Sequence, residues 1–409
     1  MRVLLAAASF ASTISGIQRH ALNMVRCLLL RQEITAVHLV VAPWQCAMVE
    51  SAELPADRRL KMQVADIDRG SLSRNLWYYR ELPRLAELLG ADVVHFSYPM
   101  PLDARSFRCS TVVTLHDLYP YEFPMNFGFP RFLFNRAVLR QCLRSADAIA
   151  CVSESTRMKL RQYAPASVCN KAIRIYNCVE PGPLTEANSP VRDWNSVPFL
   201  LCIAQHRRNK NIATLIHAFD RLLRSEWIEE GTKLIVVGMR GPETARIHRL
   251  IRESGLSKSV RLVEGLSEQD LWWCYRNCSV LAAPSFTEGF GLPIAEGLLA
   301  GCRIVCSNIP AHREIGGASC RFVSLREHAP QALAAAIADA LQESKPEPVT
   351  LPQFSASDLS EQYMALYGRL VASAKMARTR DEGPAIGSTG ETLSATGSES
   401  QSALAYRGK

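Results

Sequence analysis

Two glutamates and two glycines in one short string carry the strongest chemical signal in this chain. Ser285-Phe-Thr-Glu-Gly-Phe-Gly-Leu-Pro-Ile-Ala-Glu-Gly-Leu-Leu-Ala-Gly301 follows an apolar strand, Ser279–Ala282, and leads into a helical pattern. Gly289 and Gly291 suit a tight loop. Pro293 suits a first helical turn, where its fixed φ fits and its missing N–H costs no bond. The free amides of such a loop and turn form a site for phosphate. Glu288 in the loop and Glu296, expected in the first turn, place two carboxylates beside it, where they can accept hydrogen bonds from sugar or ribose hydroxyls.

Three weaker signals share that logic. In Cys202-Ile-Ala-Gln-His-Arg-Arg-Asn-Lys-Asn-Ile212, the cations Arg207, Arg208 and Lys210 follow a strand, where a leaving diphosphate needs its developing charge neutralised. In Thr114-Leu-His-Asp-Leu-Tyr-Pro120, His116 is placed to hydrogen-bond a sugar hydroxyl, with Asp117 to orient it. In Ser15-Gly-Ile-Gln-Arg-His20, Gly16 lets backbone approach a phosphate at a helix start. Arg19 and His20 there face either acceptor or phosphate, or are simply the exposed side of the helix. No Gly-x-Gly-x-x-Gly is present, which argues against a dinucleotide-dependent dehydrogenase.

The elements that must position these residues are strands and helices in alternation. In the first half, strands are expected at Arg2–Ala8, Val37–Ala42, Asp92–Phe96, Thr111–Leu115, Ala148–Val152 and Ala172–Tyr176. Helices are expected at about Ile17–Leu30, Ser73–Leu89, Arg131–Arg144 and Glu154–Tyr163. Such alternation implies βαβ units and mostly parallel sheets. A proline-rich stretch, with Pro181, Pro183, Pro190 and Pro198, breaks the pattern, and the strand Phe199–Ala204 restarts it. Strands at Lys233–Val237, Val260–Val263, Ser279–Ala282 and Arg303–Cys306 follow, then a helix at about Gln331–Glu343. The expected organisation is an α/β domain over residues 1–180, a linker over 181–197 and a second α/β domain over 198–350. A C-terminal helix over 351–374 packs back towards the first domain, and a disordered tail fills 375–409.

Composition narrows the partners. The 409 residues are 48% hydrophobic and 21% charged, with a formal charge of +8. That charge comes without zinc-finger spacing, an aromatic RNA-binding strand or a dense Lys/Arg block, so nucleic acid is not an expected partner. The thirteen cysteines are odd in number and scattered; Cys274 and Cys278 lie four apart without a second pair, so no zinc site is expected, and unpaired thiols suit a reducing cytosol. The apolar N-terminal run is short and soon polar, so it reads as a first strand rather than a signal peptide. No segment has the roughly 18 uncharged apolar residues of a membrane span.

The string Glu-Gly-Phe-Gly-Leu-Pro-x-x-Glu, its glutamates separated by seven residues, resembles the motif of the retaining GT-B glycosyltransferases of family 4. The Lys210-Asn pair, the His116-Asp pair, the glycine after the first strand and Ala146-Asp-Ala-Ile-Ala-Cys-Val-Ser-Glu-Ser-Thr156 are similar to that family's, and the likeness runs over about residues 1–370. Three glycines of the family pattern are replaced, by Ser15, Ala204 and Cys178. The resemblance implies two Rossmann-like domains facing each other across a cleft. It implies that Glu296 holds the nucleotide ribose and Glu288 the donor-sugar hydroxyls. The backbone of Phe290, Gly291 and Leu292 would meet the diphosphate, with Lys210 and one of Arg207 and Arg208. His116 would face the sugar.

The implied reaction is front-face transfer of a hexose, mannose first, from a nucleotide-diphospho-sugar to a glycan or lipid-linked acceptor, in surface-polysaccharide assembly. No metal or cofactor is expected: Asp66 and Asp68 have Asp-x-Asp spacing, but in a stretch that reads as a surface loop. Rival readings are an epimerase or hydrolase on the same fold, and a non-catalytic nucleotide-sugar-binding subunit. The expected location is cytoplasmic. Phe127, Phe129, Phe132 and Phe134 precede Arg136, Arg140 and Arg144, which share a helix face. That segment reads first as a solvated face above core phenylalanines and second as a contact with anionic lipid of the inner membrane.

Overall fold

The computed structural model describes residues 1–11, 16–182 and 197–381. Its first half holds strands β1 (Arg2–Ala6), β2 (Ala36–Val41), β3 (Leu60–Val64), β4 (Val93–Phe96), β5 (Ser110–Leu115), β6 (Ala148–Cys151) and β7 (Ala172–Arg174). The helices there are α1 (Gly16–Leu29), α2 (Cys46–Glu50), α3 (Ser71–Leu88), α4 (Tyr119–Glu122), α5 (Arg131–Ser145), α6 (Glu154–Tyr163) and α7 (Ala166–Cys169). The second half holds β8 (Phe199–Ile203), β9 (Lys233–Val237), β10 (Val260–Val263), β11 (Val280–Ala283), β12 (Ile304–Ser307) and β13 (Arg321–Val323). Its helices are α8 (Ile212–Arg224), α9 (Thr244–Glu253), α10 (Glu268–Asn277), α11 (Leu292–Leu299), α12 (Pro310–Gly316) and α13 (Ala329–Gln342), followed by α14 (Ala356–Asp381).

The strands form two parallel sheets, in the orders β3-β2-β1-β4-β5-β6-β7 and β10-β9-β8-β11-β12-β13. Central strands such as Ala36–Val41 and Ser110–Leu115 are buried at every position, as sheets covered on both faces require. One face of the first sheet packs on α1 and α14 through Leu22, Val25, Leu28, Leu359, Tyr363 and Tyr367. Its other face packs on α3, α5 and α6 through Tyr78, Leu82, Leu139, Cys142 and Leu160. The second sheet packs on α10 and α11 on one side and on α8, α9 and α13 on the other.

In each sheet the strand order reverses once, between β1 and β4 and between β8 and β11. Ligands bind beyond the strand ends at such switch points. Gly16 follows β1 and His116 follows β5; Lys210 follows β8 and the Glu288 loop follows β11. Every candidate residue therefore stands at the carboxyl edge of its sheet.

Two strands escape the sequence reading. Both β3 and β13 are edge strands, and β3 places Lys61, Met62 and Val64 on the surface, so it lacks the apolar run of its neighbours. Helix α14 continues to Asp381, beyond the expected end at 374. Ser15, most of the linker and residues 382–409 lie outside the described residues.

Candidate active site at the facing sheet edges

The loop after β11 is gripped from both halves. Gly291 adopts φ 101° and ψ 50°, left-handed backbone that favours glycine, and caps α11 without any side chain. Gly289 meets the first half directly: a Cβ there would stand 1.6 Å from the His116 carbonyl oxygen. Its own carbonyl accepts hydrogen bonds from the Ser153 hydroxyl and, at 3.0 Å, from Thr156 Oγ1. Ser153 also caps α6 by accepting from Thr156 N at 2.9 Å. Gly16 lies close by, and a Cβ on it would sit 3.7 Å from Leu292 Cδ1. The two glycine loops of the sequence reading are thus neighbours. The helix start differs from expectation: α11 begins at Leu292, so Glu296 is its fifth residue and stands in the second turn.

Glu288 and Lys210 form a buried pair. Lys210 Nζ donates to both carboxylate oxygens, at 2.6 and 2.8 Å, and Ser285 Oγ donates to Oε1 at 2.6 Å. Burial alone would push the Glu288 carboxyl up. Lys210, His312 and Ser285 outweigh it, holding the group below its ordinary value and ionised. Asn211 helps to fix the approach: it stands in left-handed backbone at φ 54°, and its Nδ2 donates to Pro284 O at 3.2 Å.

Glu296 is 4% exposed, and both its oxygens are engaged. Tyr275 OH donates to Oε2 at 2.5 Å, and Arg19 Nη1 reaches Oε1 at 2.5 Å from α1 in the other half. Arg19 therefore faces Glu296 across the cleft rather than open solvent.

The first half contributes neutral imidazoles. Burial lowers His116 to about 4 and His95 to about 3, and burial with its histidine neighbours lowers His20 as well. His116 Nε2 donates to Ser97 O at 2.8 Å, which leaves its Nδ1 as an acceptor. The His20 ring meets it edge-on at 4.8 Å. Thr114 Oγ1 bridges His20 Nε2 (3.1 Å) and His95 Nε2 (2.8 Å), and His95 Nδ1 bonds the Tyr367 hydroxyl of α14 at 2.6 Å. One expectation fails here. Asp117 does not orient His116; its Oδ1 accepts from Tyr119 N at 3.0 Å, closing a turn. Burial raises the Asp117 carboxyl.

Of the two candidate arginines, Arg207 turns across the cleft, its guanidinium 5.8 Å from the Tyr119 ring, while Arg208 is exposed. Residues the sequence did not single out complete the contact between halves. Lys159 Nζ reaches Glu122 at 2.8 Å and Thr287 Oγ1 at 2.5 Å. Glu314 accepts from the amides of Glu154 (2.7 Å) and Ser155 (2.8 Å) at the start of α6. The Lys159–Thr287 and Glu314 contacts join residues more than a hundred positions apart, so no local spacing announces them.

The aromatic segment leading into and opening α5 departs from its first reading. Phe129 and Phe134 are 83% and 55% exposed, and Leu133 is 49% exposed. Arg136 is not part of a solvated stripe: its Nε donates to Pro120 O at 2.8 Å and its guanidinium stacks on Tyr121. Among the described residues no three His, Cys, Asp or Glu side chains converge as a metal site needs, and no helix is long and apolar enough to cross a membrane.

Comparison with known proteins agrees with this geometry. Residues 186–350 match the family described as glycosyl transferases group 1, and residues 14–182 match glycosyltransferase family 4. A serotype-specific mannosyltransferase WbdA of Escherichia coli is 29% identical over 233 residues, 54% of this chain and 28% of its own length. The chain thus spans under a third of that relative. The O-antigen chain mannosyltransferase B of Escherichia coli is 24% identical over 327 residues, 78% of this chain and 85% of that one. The Anabaena HepE structure in complex with UDP-glucose superposes with a TM-score of 0.61 at 15% identity, covering 93% of this chain and all of that one (100%). The fold is GT-B, and the chain belongs to the group 1 family of glycosyltransferases, with a family 4 first half.

Proposed function

We propose that this member of the group 1 glycosyltransferases moves a hexose, mannose first, from a nucleotide-diphospho-sugar to a hydroxyl of a glycan or lipid-linked saccharide, with retention and without a metal. The observation that carries this is the meeting of Glu288, Lys210, Glu296 and the 289–292 backbone with neutral His116 at two facing sheet edges. The mannosyltransferase relatives support a mannosyl donor and surface-polysaccharide assembly; HepE supports a nucleotide-sugar.

Each residue has a task in that reaction. Glu296 accepts from the ribose hydroxyls on the lone pairs that Tyr275 and Arg19 leave free. Lys210, Arg207 and the amides opening α11 take the diphosphate charge. Glu288 and His116 Nδ1 accept hydrogen bonds from the sugar. The acceptor oxygen attacks the anomeric carbon on the face that the diphosphate leaves. The carbon–oxygen bond to phosphate breaks with its electron pair going to that oxygen, which then takes the acceptor's proton. No side-chain nucleophile is needed, and the protein's part is positioning and electrostatics.

On this reading the reaction takes place at the cytoplasmic face of a membrane. Phe129, Leu133 and Phe134, with exposed Arg131 and Arg140, form the surface that would meet anionic lipid near a lipid-linked acceptor.

A thermal-shift series with UDP-, GDP-, dTDP- and ADP-sugars tests the reading. One nucleotide is expected to stabilise the wild type, by about 2.7 kcal/mol at a hundred times its dissociation constant. Glu296→Ala should lose that shift. NMR of the product's anomeric centre tests retention. A set of nucleotides that all leave the melting point unmoved would overturn the donor site.

A further inference from the structure

Tyr119 opens α4, just after the His116-Asp117 pair. The turn that leads to it lies against the glycine loop of the second half: a Cβ on Gly289 would stand 3.4 Å from Asp117 Cβ. Asp117 Oδ1 accepts from the Tyr119 amide at 3.0 Å and so fixes where the side chain starts. Phe123 and Phe127 hold the ring, their centroids 5.9 and 6.1 Å from its own. From the second half, the Arg207 guanidinium approaches the same ring to 5.8 Å.

The phenol is thus held on several sides, and Tyr119 is only 7% exposed. Its hydroxyl is nevertheless buried without a hydrogen-bond partner among the described residues. An unpaired buried hydroxyl is costly, so it calls for a partner that the chain itself does not supply. Arg207, Asp117 and Glu288 are the charges that bear on it. Arg207 has only N–H groups to offer, which leaves the phenol proton without an acceptor. Neither carboxylate takes that proton: Asp117 closes its turn, and Glu288 is held by Lys210 and Ser285. Burial raises the phenol's pKa, so the hydroxyl keeps its proton and serves as a donor. Arg207 forms no ion pair among the described residues. Two donors, one from each half, therefore stand together without an acceptor. A phosphoryl oxygen only accepts and matches them both, whereas a sugar hydroxyl would bring a third proton.

We propose that the Tyr119 hydroxyl, together with Arg207, binds the donor's sugar-bearing phosphate, the one that departs with the nucleotide. The proposal rests on the transferase reading and builds the diphosphate clamp from both halves of the molecule. As the carbon–oxygen bond to that phosphate breaks, charge grows on the oxygens that these two donors meet, so their hold strengthens in the transition state. The phenol donates a hydrogen bond and transfers no proton.

The test uses Tyr119→Phe, which keeps the ring that Phe123, Phe127 and Arg207 contact and deletes only the hydroxyl. Nothing in the protein bonds that oxygen, so the unliganded variant should melt no lower than the wild type. Calorimetric titration then compares UDP, GDP, dTDP and ADP, each with its monophosphate. For the nucleotide that the wild type binds, the variant should hold the diphosphate about tenfold more weakly and the monophosphate equally well. In transfer assays kcat should fall about tenfold, with the acceptor's KM unchanged.

Equal diphosphate affinity in the two proteins overturns the assignment. An equal loss for the monophosphate overturns it too, because the whole donor site would then be disturbed. A loss confined to the intact nucleotide-sugar puts the hydroxyl on the sugar and likewise overturns it. A variant that melts lower shows that the hydroxyl serves the fold. If the wild type binds none of these diphosphates, the transferase reading itself fails and the clamp falls with it, an outcome distinct from one in which only the variant comparison fails.

Discussion

The two halves of this protein share an architecture and differ in what they present. Residues 1–180 carry 22 Lys and Arg against 15 Asp and Glu, whereas residues 181–409 carry 25 against 24, so nearly all the net charge of +8 lies in the first half. The first half also holds most of the exposed large apolar side chains, from Phe10 to Tyr163, against Trp227 and Phe286 in the second sheet's domain. Inside the cleft the contrast reverses. The second half offers the ion-paired side chains Glu288, Lys210 and Glu296, while the first offers the buried imidazoles of His20, His95 and His116, whose burial disfavours the charged form. On the proposed reading a charged donor and a largely neutral sugar would account for that division, with ions for the nucleotide and hydrogen-bond acceptors for hydroxyls. The same reading gives the outer surface of the first half a separate role, in reaching the acceptor.

The sharpest way to break the comparison is to keep the halves apart. Gly289→Ala places a methyl where the His116 carbonyl stands, so the Glu288 loop and the imidazoles can no longer close on one sugar. Displacements of about an ångström can cost about a hundredfold in rate, and at least that loss of kcat is expected. Each half should remain folded by circular dichroism. Normal turnover in this variant would show that the contact is dispensable.

Next comes the ion pair itself. Lys210→Met leaves the Glu288 carboxylate buried without its main partner. The pair keeps some solvent contact, so the expected loss is about 2 kcal/mol rather than the full penalty of a dry pair. Adding Glu288→Gln should recover most of that stability in urea melts while activity stays lost. Recovery of both would argue that Lys210 serves the fold alone.

The pH response should separate the halves as well. His116 and His95 are depressed to about 4 and about 3, below the ordinary histidine value near 6.5, so the unfolded chain binds protons that the native chain does not. Their stabilisation is complete above about pH 6.5 and falls as pH drops towards 4. The slope is about 1.4 kcal/mol per pH unit for each imidazole. Glu288, also depressed, loses its contribution only as pH falls below the usual carboxylate range. Melting temperature against pH should therefore bend first from the first half, and His95→Gln should flatten that bend. An unaltered curve would mean that the imidazoles are solvated in the native protein.

What the sequence revealed follows the same division between local and distant. The glycine loop and both glutamates were legible because a strand, a loop and a helix start place them within a few residues of one another, and Lys210 because it stands in the same strand-to-helix setting after β8. The central strands were legible as apolar runs. The edge strands β3 and β13 were not, because β3 is half exposed and polar and β13 is only three residues long. The pairs Arg19–Glu296 and Lys159–Thr287 and the Glu314 contact to α6 were hidden for another reason: they join segments brought together only when two sheets face each other. The Asp117 reading failed because adjacency in sequence at a strand end does not make two side chains partners.

The smallest expected effect concerns the outer surface of the first half. Phe129 and Phe134 are more than half exposed, so exchanging both for serine removes little packing and should shift stability by less than about 0.5 kcal/mol. If these rings enter a bilayer, the exchange removes apolar area worth about 1.5 kcal/mol or more per ring when fully buried. Partial insertion still predicts a drop of about tenfold in binding to vesicles containing anionic lipid. Raising salt should weaken binding of wild type and variant alike, because Arg131 and Arg140 remain in both. Transfer to a soluble acceptor should not change, since neither ring touches the cleft residues described above. Vesicle binding that survives the exchange would move the membrane contact to another part of the basic half, where Leu72, Leu76 and Tyr79 form the next exposed apolar stripe, on α3.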